Sequence, residues 1–281
     1  MEYARPQNMR QALQMMERWK RRAEVVAGGT NVIPDLRARA IQPEVLIDLS
    51  RLKNLSYIKE EKERIRIGAL TTLSAIASSE TVRRFASVLS EATGQMGNPL
   101  VRNRATIGGN LADASPAADG APPLLVLDAS MILETAGGAS RTVPIDQFFL
   151  GPNRTVLKED ELIREVVFPK AGPSARMAYS KFGLRNAMAI SVVSIAVLLE
   201  MEEGICRKGR IALGAVSPTP IRAHGVEGLL MNQALSEELI SRCCEKVQGE
   251  IQPISDIRAS EAYRRSVASV LLGRLLRQVM K

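Results

Sequence analysis

The chain of 281 residues is long enough for about two domains, and its 46% hydrophobic and 24% charged residues are typical of a globular protein with a buried core. That composition excludes disordered, collagen-like and low-complexity classes. The net charge is +8, and the sequence holds one histidine and three cysteines. These counts exclude a site with several histidine ligands, and they are too low for an all-cysteine iron–sulfur cluster within this chain.

The first part of the chain predicts interspersed helices and strands. Apolar spacing predicts helices at residues 7–20, 32–39, 72–77 and 85–93. Short apolar or alternating runs predict strands at residues 24–26, 45–49, 57–58 and 64–69, the last two antiparallel. Residues 94–123 are the densest in glycine and turn-forming residues and are predicted as a turn-rich region.

The second part predicts strands at residues 130–134, 162–168, 176–182 and 211–216, with an apolar segment at 190–200. It also predicts helices at residues 237–248 and 260–279. Turns around 170–173 place a domain boundary near residue 173, and His224 is predicted in a loop without a catalytic role. Because strands and helices alternate without a regular βαβ cadence, the predicted fold class is α+β.

The basic residues are spread along the chain, and only 4% of residues are aromatic. The densest basic stretch, residues 18–22, follows apolar residues at helical spacing, which favours a solvated helix face over a nucleic-acid contact. No apolar run is long enough to span a bilayer, and the first residues lack a signal-peptide core. We therefore predict a cytoplasmic protein that binds no nucleic acid and has no transmembrane segment.

Two glycine-rich segments pair adjacent glycines with short hydroxyl and amide side chains. The first glycine segment consists of Ala27, Gly28, Gly29, Thr30 and Asn31. The second glycine segment consists of Thr106, Ile107, Gly108, Gly109 and Asn110. Glycine lets a backbone approach a ligand closely, and successive N–H groups in such a turn can bind an anion. Both segments therefore suit a diphosphate, which needs several neutral donors at short range.

The residues after the second glycine segment predict the start of a helix. Ser115 is a candidate N-cap, and Pro116 fits the first helical position. Asp119 suits a sugar or other hydroxyl better than a phosphate, which it would repel. Taken singly, each glycine pair is more simply explained as a tight turn, and neither matches the spacing of a Rossmann or P-loop motif.

In combination, these motifs resemble the FAD-binding medium subunit of molybdenum hydroxylases, the family of xanthine dehydrogenase and carbon monoxide dehydrogenase. The two glycine segments, followed by Ser115 and Asp119, are similar to the family's two FAD loops. Further matches extend along nearly the whole chain, at Tyr3, Pro6, Arg102, Asn103, Lys181, Arg185 and residues 256–260 and 263–265.

The resemblance implies an FAD-binding domain at residues 1–173, with lobes at about 1–55 and 56–173, and a smaller α+β C-terminal domain at 174–281. FAD is expected to lie between the lobes with its diphosphate on both glycine segments. Neither a catalytic residue nor a metal ligand is expected in this chain. The candidate cofactor-binding residues are Ala27, Gly28, Gly29, Thr30, Asn31, Met96, Gly97, Thr106, Gly108, Gly109, Asn110, Ser115, Asp119, Ile163 and Lys181.

Five of these candidates rest on family positions away from the two glycine segments. Asp119 would contact a hydroxyl group, Met96 and Gly97 would line the flavin ring, Ile163 would lie at the adenine or flavin edge, and Lys181 would reach the flavin's polar rim. From residue type alone, Met96 fits core packing equally well and Ile163 fits it better. Lys181 would by default be an exposed lysine.

The resemblance also implies the role of an electron-transfer subunit. A large subunit with a molybdenum cofactor would hydroxylate the substrate. A small [2Fe–2S] subunit would then pass electrons to FAD, for delivery to NAD⁺ or another acceptor. A xanthine or purine type is favoured over a carbon monoxide type, because Thr30 stands where carbon monoxide enzymes tend to carry histidine. Two alternatives remain open: a stand-alone FAD-dependent oxidase, and a scaffold that has lost FAD.

Three positions depart from the family pattern. Residues 186–189 offer no tyrosine, which some relatives place against the flavin. Asn31 stands where many relatives carry aspartate, and Asp113 stands where many carry asparagine. These departures bear on how the flavin is covered and on individual contacts rather than on the family itself.

Overall fold

The computed structural model describes residues 1–280, which begin with a small lobe built on a parallel sheet. The elements of this first lobe are β1 (Glu2–Ala4), α1 (Met9–Trp19), β2 (Ala23–Val26), α2 (Val32–Arg37) and β3 (Val45–Asp48). The strand order is β1–β3–β2, so β2 is an edge strand. The amphipathic helix α1 covers the sheet with its helically spaced apolar residues Met9, Ala12, Leu13 and Met16.

A second lobe follows, built on a five-stranded antiparallel sheet in the order β4–β5–β10–β6–β7. Its strands are β4 (Ile58–Glu60), β5 (Arg64–Gly68), β6 (Ser130–Thr135), β7 (Ser140–Pro144), β8 (Phe149–Gly151), β9 (Arg154–Thr155) and β10 (Glu161–Pro169), of which β8 and β9 form a separate hairpin. Its helices are α3 (Leu73–Ser78), α4 (Glu80–Phe85), α5 (Ser87–Gln95), α6 (Pro99–Arg102), α7 (Ile107–Asp113) and α8 (Ala121–Val126). The largest hydrophobic core lies between these helices and the sheet.

The remaining residues form an antiparallel sheet with helices. Its strands are β11 (Ala175–Phe182), β12 (Val193–Glu202), β13 (Ile205–Gly214), β14 (Ile221–Arg222) and β15 (Gln233–Ala234). Its helices are α9 (His224–Leu230), α10 (Glu237–Gln248) and α11 (Glu261–Met280). Strand β12 is buried on both faces: Ala196 and Leu198 join the core of the second lobe, whereas Ile195 and Val197 join the core under α10 and α11. Burial on both faces explains why this strand appears in the sequence as a continuous apolar run.

The predicted α+β class is confirmed, and the helix at 237–248 has the predicted bounds. The three-stranded sheet ends at residue 48, the five-stranded sheet runs from 58 to 169, and the last sheet begins at 175. Among residues 1–280, no helix is both long enough and apolar enough to cross a bilayer.

The prediction for residues 94–123 is wrong, because three helices, α6, α7 and α8, lie in this region. In the sequence, the capping residues and prolines that start these helices look like turn-forming residues. The side chain of Asn98 caps α6 and that of Thr106 caps α7. The prolines Pro99, Pro122 and Pro123 occupy first-turn positions, where a missing N–H costs nothing.

Two smaller predictions are also wrong. No helix begins at Pro116: the Ser115 hydroxyl accepts a hydrogen bond from the N–H of Ala117 within a turn, and the next helix starts at Ala121. His224 is the first residue of α9 rather than a loop residue, and its Nδ1 lies 3.0 Å from Oε2 of Glu227.

The start of α11 is held by a carboxylate–guanidinium cluster. The Asp256 carboxylate accepts hydrogen bonds from the N–H groups of Arg258 and Ala259 and from the guanidinium of Arg264 at 2.8 Å. Arg264 is only 3% exposed and also donates to the carbonyl oxygens of Val192 and Ala215. Although burial opposes ionisation, these donors hold the pKa of Asp256 below its ordinary value.

Asp256→Ala should destabilise the protein by about 3 kcal/mol or more in urea unfolding, because it leaves the Arg264 guanidinium buried without its carboxylate. A lowered folded pKa contributes stability above the ordinary aspartate pKa, so the difference should shrink as the pH falls below about 4. Glu261→Ala, which breaks the exposed pair with Arg265, is the control and should cost less than about 1 kcal/mol. Equal effects of the two substitutions would contradict this role of Asp256.

Candidate cofactor site

A cleft of about 360 Å³ lies between the first and second lobes. It brings together both glycine segments, which are far apart in the sequence. The predicted residues that line it are Ala27, Gly28, Gly29, Thr30, Asn31, Thr106, Gly108, Gly109, Asn110 and Ile163. The cleft is thus walled by the backbone of one lobe on one side and of the other lobe on the opposite side.

The first glycine segment leads from β2 into α2 and presents free backbone donors. Gly29 has a φ of +74°, which favours glycine. A Cβ atom on Gly28 would lie 2.1 Å from the carbonyl oxygen of Arg104, so the second lobe passes directly over this residue. The N–H groups of Gly28, Gly29, Thr30 and Asn31 have no acceptor within residues 1–280. Consecutive free N–H groups of this kind suit an anionic ligand.

The second glycine segment is the first turn of α7 rather than a loop. The Thr106 hydroxyl oxygen accepts a hydrogen bond from the N–H of Gly109 at 3.1 Å. The N–H groups of Ile107, Gly108 and Asn110 donate to backbone carbonyls at 3.1, 2.9 and 3.0 Å. Because these N–H groups are all used within the protein, the prediction that this segment forms an anion-binding turn is wrong.

The glycines of the second segment serve close packing instead. A Cβ atom on Gly108 would lie 2.7 Å from the Cβ of Ala69, so glycine lets α7 approach the end of β5. A Cβ atom on Gly109 would lie 4.0 Å from the Cβ of Ala27, so this position faces the first glycine segment. The Oδ1 atom of Asn110 is buried without a donor among residues 1–280, an unmet hydrogen-bonding group beside the cleft.

Side chains of both lobes complete the cleft. Its apolar lining comes from Met16, Val25, Leu49, Leu157, Leu162 and Ile163. Glu161, which also lines it, is paired with the Arg141 guanidinium at 2.7 Å, and this pairing lowers the pKa of Glu161. Glu24 lines the cleft as well, and burial raises the pKa of its carboxyl group.

Asp119 and Lys181 lie outside this cleft and pair with each other. The Lys181 ammonium donates to Oδ2 of Asp119 at 2.7 Å and to the carbonyl oxygen of Ala189 at 3.2 Å. The Ser191 hydroxyl donates to Oδ1 of Asp119 at 2.5 Å. Both charged side chains are nearly buried, so Lys181 is not the exposed lysine that its residue type alone would suggest. The pair joins the second lobe to β11 and to the start of β12.

A buried tyrosine lies beside this pair. Burial, together with the nearby Asp119 carboxylate, raises the pKa of Tyr179 well above its ordinary value. The hydroxyl groups of Tyr179 and Ser194 have no hydrogen-bond partner among residues 1–280. The junction between the second lobe and the last sheet is therefore polar as well as apolar.

The other predicted residues also lie outside the cleft. Met96 is buried in a small cluster with Leu73 and Ala105, which agrees with core packing. Gly97 follows with a φ of +53°. Ser115 lies in the turn between α7 and α8.

These residues fit FAD at its diphosphate. The free N–H groups of the first glycine segment supply neutral donors, and Gly109 leaves open the space between the two segments. The cleft volume is at the lower end of the range for small-molecule sites, which suits part of a dinucleotide rather than the whole.

Comparisons with known families agree with this geometry. Residues 1–171 match the FAD binding domain in molybdopterin dehydrogenase, and residues 178–279 match the CO dehydrogenase flavoprotein C-terminal domain. The chain therefore belongs to the medium, FAD-binding subunits of the molybdenum hydroxylase family, and its cofactor is FAD.

Similar curated proteins cover almost the whole chain. The glyceraldehyde dehydrogenase medium chain of Sulfolobus acidocaldarius is 32% identical over 99% of this chain and 97% of its own length. The xanthine dehydrogenase FAD-binding subunit of Escherichia coli O157:H7 is 29% identical over 92% of this chain and 89% of its own.

Solved structures show the same fold. A chain of carbon monoxide dehydrogenase from Hydrogenophaga pseudoflava has a TM-score of 0.96 at 32% identity, covering 99% of this chain and 96% of that one. A chain of quinoline 2-oxidoreductase from Pseudomonas putida 86 has a TM-score of 0.94 at 26% identity, covering 100% and 96%.

Several cleft residues were not predicted from the sequence. Glu24 lies on β2, three residues before the first glycine segment, and this proximity is a usable signal. Lys158 and Leu162 come from the region around β10, where no motif marks them. They reach the cleft only because β10 is a central strand of the second sheet.

Gly109→Val should abolish FAD retention, because its branched side chain would occupy the gap that faces Ala27 across the two glycine segments. FAD content is measured by absorbance of the purified protein. Gly137→Val is the matched control, since a Cβ atom there has no neighbour within 4 Å. Stoichiometric FAD in Gly109→Val would show that the cofactor does not pass between the two segments.

Asp119→Ala should destabilise the protein by about 3–5 kcal/mol, because the Lys181 ammonium stays buried without its carboxylate. The double variant Asp119→Ala/Lys181→Met removes both charges and should recover most of that loss, as measured by thermal or urea unfolding.

If Asp119 also binds a cofactor hydroxyl, FAD affinity in Asp119→Ala should fall about ten- to hundredfold, the equivalent of one charge-assisted hydrogen bond. Unchanged FAD affinity would show that Asp119 acts only at the domain junction and does not bind the cofactor.

Proposed function

We propose that this chain is the flavoprotein electron-transfer subunit of a molybdenum hydroxylase complex. The observation that carries the proposal is the row of free N–H groups at Gly28–Asn31, which faces a cleft closed on its other side by the second glycine segment. Bound FAD supplies an acceptor that collects electrons from one-electron carriers and releases them in pairs. The protein's own part is to bind and orient that cofactor.

Each wall of the cleft has a distinct part in this proposal. The first glycine segment binds the diphosphate through its backbone N–H groups. Thr106, Gly108, Gly109 and Asn110 form the opposite wall, where glycine permits close approach and Asn110 offers an amide. Ile163 supplies apolar surface. Ser115 shapes the turn that leads from this wall toward Asp119.

The flavin end is proposed to lie at the junction with the C-terminal domain. Met96 and Gly97 support the ring from the second lobe, and Lys181 reaches it from β11, positioned by Asp119. This proposal places the boundary of the FAD-binding domain near residue 173, between the two family matches at 1–171 and 178–279. The cofactor would then touch both domains.

The proposed partners follow from the relatives, several of which are named as medium chains or FAD subunits of larger enzymes. We infer a small [2Fe–2S] subunit that delivers electrons and a large subunit with a molybdenum cofactor that acts on the organic substrate. NAD⁺ or another acceptor would take the electrons from this chain. The net charge of +8 favours an acidic partner mainly through the rate of association.

The type of hydroxylase is not fixed by the comparisons. Relatives at similar identity are named for glyceraldehyde, carbon monoxide, nicotinate and xanthine. Thr30, rather than histidine, in the first glycine segment favours a xanthine or purine type over a carbon monoxide type. The carbon monoxide type is equally compatible with the relatives.

Co-expression tests the proposal. The chain should purify with a [2Fe–2S] protein and a larger molybdenum-binding protein, and should carry FAD. The two partners alone should reduce artificial dyes with substrate but should not reduce the physiological acceptor until this chain is added. A colourless chain that assembles without FAD would support a scaffold. Turnover of a small organic substrate by this chain alone, at about 1 s⁻¹ or faster, would support a stand-alone oxidase instead.

A further inference from the structure

An acidic side chain lies in the cleft where a dinucleotide site would not be expected to hold one. Glu24, on β2, lines the cleft together with the apolar residues Met16, Leu49 and Leu162. Its carboxyl group is half-buried, and the one charge that acts on it is a second carboxylate, that of Asp35. No Lys, Arg or His in residues 1–280 pairs with it, in contrast to Glu161 in the same cleft. The Glu24 carboxylate is thus a half-buried acceptor that has the backbone N–H of Val25 as a donor but no cation beside it, which leaves room for a ligand donor.

The backbone next to Glu24 is also open to a ligand. The carbonyl oxygens of Arg22 and Val26 accept hydrogen bonds at 2.8 Å from Glu44 and Leu49, on the side where β3 lies. Alternate residues of a parallel strand face opposite ways, so the N–H and C=O of Val25 point away from β3. Val25 lines the cleft, and β2 is an edge strand. The Val25 carbonyl oxygen is therefore a free acceptor at the strand edge, whereas the Val25 N–H donates to the Glu24 carboxylate.

Charge determines which part of a dinucleotide can occupy this position. A carboxylate repels a diphosphate, so Glu24 must face a part of the ligand that is neutral and rich in donors. The free N–H groups of the first glycine segment begin at Gly28, four residues further along the chain, which is about 13 Å at strand spacing. The end of the cleft that would hold the diphosphate and the end that holds Glu24 are therefore separated by roughly the length of a nucleoside.

We propose that Glu24 recognises the adenosine half of FAD by accepting a hydrogen bond from the adenine amino group or a ribose hydroxyl, with the edge of β2 at Val25 lying along the base. This inference rests on the proposed function, in which the flavin lies at the other end, near Met96, Gly97 and Lys181. It makes Glu24 a residue that selects an adenine dinucleotide over dinucleotides that lack the donor. The apolar residues Met16 and Leu162 would flank the base.

The test compares FAD with two analogues on the full chain, purified with its co-expressed partners and freed of flavin. One analogue carries hypoxanthine in place of adenine, which replaces the amino donor by an oxygen acceptor. The other carries 2′-deoxyribose in the adenosine half. Dissociation constants are measured by flavin fluorescence for the wild type, for the isosteric variant Glu24→Gln, and for Glu17→Gln. Glu17 is exposed on α1 outside the cleft and provides the matched loss of charge.

Glu24→Gln should weaken FAD binding about tenfold or more. The control variant Glu17→Gln should bind FAD like the wild type. The wild type should bind one analogue about ten- to hundredfold more weakly than FAD, and Glu24→Gln should largely abolish that difference. Loss of the hypoxanthine difference assigns the amino group as the donor, and loss of the deoxyribose difference assigns the ribose hydroxyl. Either result supports the proposal.

Three results would overturn it. FAD binding could be unchanged or tighter in Glu24→Gln, as expected if the carboxylate only repels the diphosphate. Binding could weaken while both analogue ratios stay as in the wild type, which would make Glu24 a residue of the fold alone. A wild-type protein that binds no FAD would overturn the proposed function and this inference together, whereas the first two results leave the proposed function intact.

Discussion

The contact between the backbones of the two lobes is the constraint on which the rest of the structure depends. At Gly28 a single methyl group would collide with the carbonyl oxygen of Arg104 in the second lobe. No side chain separates the lobes at this point, so a narrow cleft opens beside it with backbone groups on its walls. A site that binds an anion through neutral N–H groups requires such an approach, because N–H donors act only at short range. Glycine here sets the geometry of the site before any ligand is bound.

The two glycine segments have different roles in the walls of the cleft, although their sequences look alike. In the first glycine segment the chain turns through a positive φ at Gly29 and leaves its N–H groups free. In the second segment Thr106 caps α7, and the backbone N–H groups donate to acceptors within the protein. One wall therefore offers donors and the other offers a rigid surface. Charged groups near the site are mostly paired, as Glu161 is with Arg141 and Asp119 is with Lys181. Glu24 has no such partner, and a half-buried carboxylate without a cation is costly unless a ligand donates to it.

The sequence predicted the fold class and the residues that meet at the cleft more reliably than the local structure that places them. Helix 237–248 could be predicted because a serine N-cap, first-turn acids and one apolar face agree. Residues 106–110 could not, because Thr-Ile-Gly-Gly-Asn fits a turn as well as a capped helix, and only the bonds to β5 and its neighbours decide between them. The resemblance placed Asp119 and Lys181 near a cofactor, but their mutual ion pair spans 62 positions and leaves no local pattern. Glu24 was missed for a similar reason: its burial depends on α1 and β10 closing over β2.

The same physical picture explains why this chain does not reveal an organic substrate. Chains from enzymes named for carbon monoxide and for quinoline, molecules of very different size, superimpose on it with TM-scores of 0.96 and 0.94 at 32% and 26% identity. A fold that stays the same in enzymes with such different substrates is shaped by a feature that the enzymes share. The cleft between the lobes is the feature that the backbone geometry of this fold defines. The buried contacts of the C-terminal sheet point the same way, since β12 contributes to the core of the second lobe through Ala196 and Leu198. That packing ties Lys181 on the neighbouring strand to Asp119 at the junction where we propose the flavin end of FAD to lie, whereas the contact at Gly28 fixes the cleft at the other end.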